Sequence, residues 1–135
     1  MVRNRVLSVV GGVALMGLLL TASMLEPDPR GLGTHQQLGL APCTFQLVFG
    51  LRCPACGMTT SWSHLTHGQP VAALKANVGG TSLGLLAILF GPWLLVSGLR
   101  GRWLWKPVGE WTLAIGCLVL IVVIVVDWVF RLLFS

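Results

Sequence analysis

Three long runs of uncharged, mostly apolar residues restrict where this chain can fold. They cover residues 6–25, 81–99 and 111–126, and the last run extends to Phe134 with two charged residues. A helix of about 20 such residues is long enough to cross the ~30 Å hydrocarbon layer of a bilayer. With 55% hydrophobic and 10% charged side chains, the chain has little polar surface for an ordinary soluble fold. The sequence therefore predicts an all-α integral membrane protein with three transmembrane helices, and a lipid bilayer as its partner.

The ends of these runs predict the organisation of the chain. The first run stops before Glu26-Pro-Asp-Pro29, where two prolines prevent the helix from continuing. A rival interpretation of this run is a cleaved signal peptide, but it is longer than a signal core, which favours a retained, signal-like anchor. Both interpretations export the segment that follows. The predicted parts are transmembrane helix 1 (1–25), an extracytoplasmic loop (26–80), transmembrane helix 2 (81–99), a basic cytoplasmic loop (100–110) and transmembrane helix 3 (111–134).

Basic residues near the ends of the runs predict the orientation. Cytoplasmic loops carry an excess of Lys and Arg, and Trp residues are enriched at membrane interfaces. The basic residues that this rule places on the cytoplasmic side are Arg3, Arg5, Arg100, Arg102 and Lys106. The N-terminus is therefore expected inside a bacterial cytoplasmic membrane and residues 26–80 outside. This accounts for the net charge of +5, and the sequence has no interleaved basic and aromatic surface of the kind that binds nucleic acid.

The exported loop is expected to form a cap of three short interfacial helices, because proline favours helix starts and glycine favours helix ends. The predicted helices run from Pro42 to Gly50, from Cys53 to Gly68, and from Pro70 to a hinge at Gly79-Gly80. The second carries Met58, Trp62 and Leu65 along one side, which is typical of an amphipathic helix on a membrane surface. Gly80 and Gly84 form a small-xxx-small pair that can seat another helix.

Reactive side chains crowd together in Cys53-Pro-Ala-Cys-Gly-Met-Thr-Thr60. We expect Cys53 to cap a helix, where unpaired backbone N–H groups and the helix dipole stabilise a thiolate. Cys43 can reach Cys53 or Cys56, because three extended residues cover the return along the first short helix. Cys117 lies about 9 Å into the membrane from the cytoplasmic side, so it is expected to pack rather than to react.

The order of polar and small residues in residues 34–99 resembles a known family. The residues that carry the resemblance are Cys43, Cys53-Pro-Ala-Cys-Gly-Met-Thr59, Gly68, Ala72-Ala73-Leu74 and Asn77. They resemble the bacterial membrane-protein family catalogued as domain of unknown function 2752. Thr60 replaces an arginine of many members, and Val78 replaces the proline after the asparagine. Because the family has no assigned activity, the resemblance implies an architecture and a cysteine site but no reaction.

Thiol–disulfide chemistry is the first functional hypothesis. Cys53 and Cys56 would form the pair, and Cys43 would attack or resolve it in an oxidising compartment. Three exported thiols are an odd number, so one must stay free, pair between chains or exchange. A purely structural disulfide stays open as an interpretation. The sequence lacks the Gly-x-Ser-x-Gly and His-Glu-x-x-His motifs of hydrolases, and it does not decide whether the protein is an enzyme.

A metal site is the alternative, because the same three cysteines supply thiolates for zinc or another thiophilic ion. His35, on the irregular segment before them, is the candidate for the fourth ligand. His64 and His67 are less suitable, since His64 lies about 12 Å beyond Cys56 along a continuous helix. They are expected to be polar residues at the headgroups.

A third interpretation is a membrane module that binds another membrane protein or lipid. Its basis is the aromatic surface around Phe45, Phe49 and Trp62, which any interfacial helix would also need. Near Trp128, Asp127 and Arg131 are spaced to form an ion pair, and we interpret this pair as an interface anchor of the last helix.

Overall fold

The computed structural model describes residues 2–104, 106 and 108–134, with side chains described from Asn4 onward. All regular structure in these residues is helical. The elements are α1 (Val2–Met24), a 3₁₀ helix (Thr34–Leu38), α2 (Thr44–Phe49), α3 (Met58–Thr66), α4 (Pro70–Ala76), α5 (Val78–Arg100) and α6 (Glu110–Phe134). By length and composition, α1, α5 and α6 can each cross a membrane. The prediction of three spans with short helices between the first two is confirmed.

Glycines allow α1 and α5 to pack closely as an antiparallel pair. A Cβ atom at Gly12 would lie 2.6 Å from the backbone nitrogen of Leu95, and one at Gly98 would lie 2.9 Å from that of Val9. Within a bilayer, where burial of apolar surface from water no longer drives association, close contact between backbones is a main source of attraction between helices. The pair α1–α5 is therefore the scaffold on which the remaining helices are placed.

Helix α3 packs against α5 through the predicted small-xxx-small pair. A Cβ atom at Gly80 would lie 2.9 Å from Met58 Cα, and one at Gly84 would lie 2.6 Å from Leu65 Cδ1. Trp62 Nε1 donates a hydrogen bond to the Gly80 carbonyl at 2.8 Å. The apolar side that we expected on the membrane surface is thus placed against α5.

The polar side of α3 is also enclosed. Thr60, Ser61 and Ser63 are fully buried. The hydroxyl groups of Thr60 and Thr34 share a hydrogen bond of 2.7 Å, and Ser63 Oγ donates to the Leu25 carbonyl. Buried hydroxyl groups need such partners, so these bonds fix α3 to the end of α1 and to the 3₁₀ helix.

The start of α3 differs from the prediction. Residues 53–57 form a tight turn, in which Cys56 N–H donates to the Cys53 carbonyl at 3.1 Å, and α3 begins only at Met58. Gly57 ends the turn with φ of 87°, a left-handed conformation that interrupts a right-handed helix. Cys53 therefore does not cap α3, and Cys56 lies outside it.

The junction between α4 and α5 also differs. Helix α4 begins at Pro70 as predicted, but α5 already begins at Val78, so Gly79 and Gly80 lie in its first turn instead of forming a hinge. The break falls at Asn77, whose extended backbone has φ of −166°. Its side-chain oxygen accepts the N–H of Gly80 at 2.6 Å, so Asn77 supplies the partner that an unpaired N–H at a helix start requires.

Helix α6 lies at the edge of the structure, and none of its described residues is buried. Its contacts lie toward its C-terminal half, where Ile124 packs against Gly79 of α5. This end of α6 is therefore at the same end of the protein as the loop that carries the cysteines.

Candidate functional site: a three-cysteine cluster

Three thiols meet at one end of the helical bundle. The Sγ atoms of Cys43, Cys53 and Cys56 all lie within 4.8 Å of one another, and each is a free thiol. The Cys53 thiol donates to Cys56 Sγ at 3.0 Å. Cys43 is the residue that precedes α2, whereas the other two belong to the turn before α3. The predicted meeting of Cys43 with the other two thiols is confirmed, and their chemical role stays a prediction.

The turn is shaped so that both of its sulfurs can serve one site. The backbone N–H of Cys53 donates to Cys56 Sγ at 3.3 Å. Only glycine fits at position 57, because a Cβ atom there would lie 2.6 Å from the Gly31 carbonyl oxygen and 2.7 Å from that of Ala76. The glycine thus permits the left-handed backbone and the close approach of two other segments at once.

Asn77 holds the turn from the side of α5. It is 1% exposed, and its Nδ2 donates to the carbonyl of Pro54 at 3.0 Å and to that of Cys56 at 3.1 Å. Since its Oδ1 accepts the N–H of Gly80, the whole amide is used. One buried side chain therefore caps α5 and fixes the carbonyl groups beside the cysteines.

Arg131 holds the same carbonyl groups from the side of α6. Its Nη1 donates to the Cys56 carbonyl at 3.0 Å and its Nη2 to the Pro54 carbonyl at 3.4 Å. Its Nε lies 2.9 Å from Asp127 Oδ2, and the two side chains are 10% and 12% exposed. The predicted pair of Asp127 and Arg131 is confirmed, but the interpretation as an interface anchor did not include the contact with the cysteine turn.

Trp128 adds a further contact between α6 and the loop. Its Nε1 donates to the Arg52 carbonyl at 2.7 Å, immediately before Cys53. Nothing in the local sequence pattern indicated this contact. The available signal was Arg131 itself, because a charged residue within a membrane-spanning helix normally has a specific partner.

The environment shifts the pKa values of two of the three thiols in opposite directions. The backbone N–H of Gln46, in the first turn of α2, and then the Cys53 thiol favour the thiolate of Cys43 and lower its pKa, although the sulfur makes no regular capping bond. Burial, followed by the neighbouring Cys53 thiol, raises the pKa of Cys56 to about 12. Without a metal ion, Cys43 is therefore the more nucleophilic of these two, and Cys56 is held as the neutral thiol.

A cavity of about 220 Å³ opens beside the cluster. Its lining includes all three cysteines and Thr59, together with His35 from the 3₁₀ helix. The nitrogen atoms of His35 are not within the group of ligand atoms that lie 4.8 Å or less apart. His35 thus lies beside the site, and its role as a fourth ligand stays a prediction.

The other histidines have separate partners. His64 Nδ1 pairs with Gln69 Oε1 at 2.7 Å, and His67 Nδ1 lies 2.7 Å from the Ser63 carbonyl oxygen. Cys117 is exposed on α6, about 21 Å before Arg131 along the helix. Among the described residues, the candidate metal cluster contains the three loop cysteines and none of these side chains.

The predicted aromatic surface is divided. Phe45 and Phe49 contact each other on α2, with their ring centroids 4.8 Å apart and their planes tilted by 43°, whereas Trp62 lies against α5. Leu47, Val48 and Phe49 are exposed on α2. Binding of a partner protein or of lipid by this surface stays a prediction.

Residues 43–91 match a family model described as Protein of unknown function (DUF2752). The match falls within the segment that resembled this family in sequence, and it contains all three clustered cysteines, the turn and Asn77. The match to this family over residues 43–91 agrees with the resemblance that the cysteine motif predicted. No curated protein and no solved structure matches the chain.

Proposed function

We propose that Cys43, Cys53 and Cys56 form a thiolate metal site, for zinc or a similar thiophilic ion, on a small membrane protein. The observation that carries this proposal is the mutual distance of 4.8 Å or less among the three sulfurs. A tetrahedral zinc ion with Zn–S bonds of ~2.3 Å separates its sulfur ligands by about 3.8 Å. Small side-chain adjustments would bring the cluster to this geometry, whereas a simple disulfide would require only two of the sulfurs.

His35 is our candidate for the fourth ligand, because it lines the same cavity from the 3₁₀ helix. Thiolate and imidazole are both ligands that zinc prefers. If His35 does not bind, the cavity leaves space for a water molecule or a small ligand in the fourth position, as in zinc sites with three protein ligands.

Metal binding would reverse the protonation state of Cys56. A coordinated thiol loses its proton, even though burial raises the pKa of metal-free Cys56 to about 12. Binding should therefore release protons and strengthen as the pH rises toward neutrality and above. The hydrogen bond from Cys53 N–H to Cys56 Sγ would stabilise the resulting thiolate.

Metal analysis and Co²⁺ substitution test this proposal. The reduced, full-length protein in detergent should hold one zinc ion per chain, and Co²⁺ should give a thiolate-to-cobalt charge-transfer band. Cys43→Ser, Cys53→Ser and Cys56→Ser should each weaken the band, and Cys117→Ser is the matched control that should retain it. A fully reduced protein that binds neither ion would refute the proposal.

Thiol–disulfide exchange is the second candidate, favoured by the lowered pKa of Cys43 next to the close pair Cys53 and Cys56. The Cys43 thiolate would attack one sulfur of a disulfide and form a mixed disulfide, and the other sulfur would leave as a thiolate. Alkylation before and after reduction separates the candidates. A mass difference of two hydrogens supports a disulfide, whereas three thiols masked only in the presence of zinc support a metal site.

The site is proposed to face the outside of a bacterial cytoplasmic membrane, with the N-terminus inside. This orientation rests on the excess of basic residues at the N-terminus and in the loop after α5. A membrane-impermeant maleimide should label Cys43 in intact cells after zinc is removed by chelation. Labelling that requires permeabilised cells would place residues 26–80 in the cytosol.

A further inference from the structure

A second cavity lies at the opposite end of the α1–α5 pair from the cysteines. Its volume is about 320 Å³, and it is lined by the start of α1, the end of α5 and the first residues of the following loop. Its lining includes the polar side chains of Arg5, Ser8, Ser97 and Arg102. The volume is within the range of roughly 300–1,000 Å³ that is typical of small-molecule sites.

Arg5 is held in a fixed position at this cavity. Its Nε donates to the Gly98 carbonyl at 2.9 Å and its Nη2 to the Leu99 carbonyl at 2.8 Å, so it caps the end of α5. These carbonyl groups carry only the partial negative charge of a helix C-terminus, about half an elementary charge. The cap therefore uses two of the five N–H donors of Arg5 and does not neutralise its charge.

The cavity consequently has an excess of positive charge. Arg102 lines it together with Arg5, and the ion pairs found within residues 4–104, 106 and 108–134 involve neither of them. The neighbouring Ser8 and Ser97 are uncharged and largely buried. Two guanidinium groups at one cavity, with no carboxylate paired to either in this part of the chain, favour an anionic ligand with several acceptor oxygens.

The surroundings of the cavity indicate where such an anion comes from. Leu7, Val10 and Leu99 are exposed on the same turns of α1 and α5 as the cavity residues, although on other faces of these helices. Trp103 lines the cavity and is 42% exposed, as expected of an indole ring at a membrane interface. A phospholipid whose phosphate lies in the cavity would thus have exposed apolar helix surface for its acyl chains on the same turns of α1 and α5. Basic cavities between transmembrane helices bind lipid headgroups in this way.

We propose that this cavity binds the phosphate group of an anionic phospholipid, with Arg102 and Arg5 as its cationic partners and the acyl chains along the exposed side of α1 and α5. This site is independent of the cysteine cluster, because it lies at the other end of the spans. Loss of metal or thiol chemistry would leave it intact.

Lipid binding to the full-length protein in detergent, followed by native mass spectrometry, tests the proposal. The probes are phosphatidylglycerol, phosphatidylcholine and inorganic phosphate. The wild-type protein should retain one phosphatidylglycerol molecule in preference to phosphatidylcholine. Arg102→Gln should lower the affinity for phosphatidylglycerol about fivefold, the effect of one basic residue near an anionic lipid surface.

Arg100→Gln is the matched control, because Arg100 is exposed at the end of α5 and does not line the cavity. It should change the affinity less than twofold. Arg102→Lys keeps the charge and should retain more binding than Arg102→Gln, which separates loss of charge from a failure to fold. Arg5 is left unchanged because it caps α5.

Three results would overturn the proposal. Equal losses from Arg100→Gln and Arg102→Gln would indicate a general surface charge effect. Equal retention of phosphatidylglycerol and phosphatidylcholine would exclude recognition of the anion. Inorganic phosphate that binds as tightly as phosphatidylglycerol, with the same dependence on Arg102, would refute a lipid and identify free phosphate as the ligand.

Discussion

Replacement of Arg131 by Gln tests whether α6 is part of the cysteine site. Arg131 donates to the Cys56 carbonyl at 3.0 Å and pairs with Asp127 at 2.9 Å, and both side chains are nearly buried. Removing one partner of a buried ion pair costs about 3–5 kcal/mol, because the other charge is left without compensation. We expect Arg131→Gln to lower the free energy of unfolding by about 3 kcal/mol. This is the lower end of the range, since Asn77 still donates to the Cys56 carbonyl.

A double-mutant cycle separates the ion pair from the contact with the turn. Asp127→Asn alone should lower the free energy of unfolding by about 2–3 kcal/mol, because the Arg131 charge then lacks its partner. The double variant removes both charges and should cost only about 2 kcal/mol, for the lost hydrogen bonds to the turn. The sum of the two single effects should therefore exceed the effect of the double variant by about 3–4 kcal/mol, at the upper end of the coupling between contacting residues.

The assay is the free energy of unfolding of the metal-free protein in micelles, from a titration with a denaturing detergent followed by Trp fluorescence. Co²⁺ affinity is measured on the same variants, because loss of a group that positions metal ligands typically weakens binding 10–100-fold. Arg30→Gln is the control. Arg30 also pairs with an aspartate, Asp28, at 2.7 Å, but its side chain is 67% exposed, so its loss should change the free energy of unfolding far less than the loss of Arg131.

Two results would refute this reasoning. If Arg131→Gln resembled Arg30→Gln in both stability and Co²⁺ affinity, α6 would not support the turn. If the effects of Arg131→Gln and Asp127→Asn simply added, the two side chains would not act as a pair.

Three further predictions concern the turn and its thiols. Gly57→Ala should lower the thermal midpoint strongly and weaken Co²⁺ binding, because its Cβ would lie within 2.7 Å of two carbonyl oxygens. Gly68→Ala is the control, because Gly68 also has positive φ but no atom lies within 4 Å of its Cβ position. It should lower the free energy of unfolding by only about 1–2 kcal/mol. Asn77→Asp keeps the acceptor for the start of α5 but loses both N–H donors to the turn. The free energy of unfolding should therefore fall by about 1–3 kcal/mol. An unchanged value would contradict the role of the amide. Because the folded-state pKa of Cys56 is raised, its contribution to the stability of the metal-free protein should be complete below the pKa of the unfolded thiol, ~8.5, and should be lost as the pH rises toward about 12. Thermal midpoints from pH 8 to 11 should therefore fall less steeply for Cys56→Ser, and alkylation near pH 8 should modify Cys43 before Cys56.

Much of the fold could be predicted because transmembrane helices are set by local properties of the sequence. The length of each apolar run and its bordering prolines and charges fix a span without reference to the rest of the chain. The meeting of Cys43 with Cys53 was similarly predictable, since a short helix and a three-residue return leave little freedom in the distance between them.

The turn at Cys53 was predicted incorrectly because its local signal is ambiguous. Proline is suited both to the first position of a helix and to a turn. The turn forms instead of a helix because of Gly57, where the carbonyl groups of Gly31 and Ala76 approach too closely for any side chain. Those two segments are distant in sequence, so no local pattern could reveal the restriction.

The contact of α6 with the turn was missed for the same physical reason. Arg131 and Cys56 are 75 residues apart, and an ion pair within one helix gave Arg131 an apparently sufficient partner. The buried position of α3 was also not predictable from its periodicity. An apolar stripe indicates a face that avoids water, but it does not distinguish lipid from the glycine-rich surface of α5.

The separation of the turn from Arg131 has a consequence for biosynthesis. Arg131 is synthesised 75 residues after Cys56, which at 5–20 residues per second takes roughly 4–15 s. During that interval the nascent turn has not yet received its contacts from α6. Until α6 arrives, the carbonyl groups of Pro54 and Cys56 are held by Asn77 but not by Arg131, so the full set of contacts forms only at the end of synthesis.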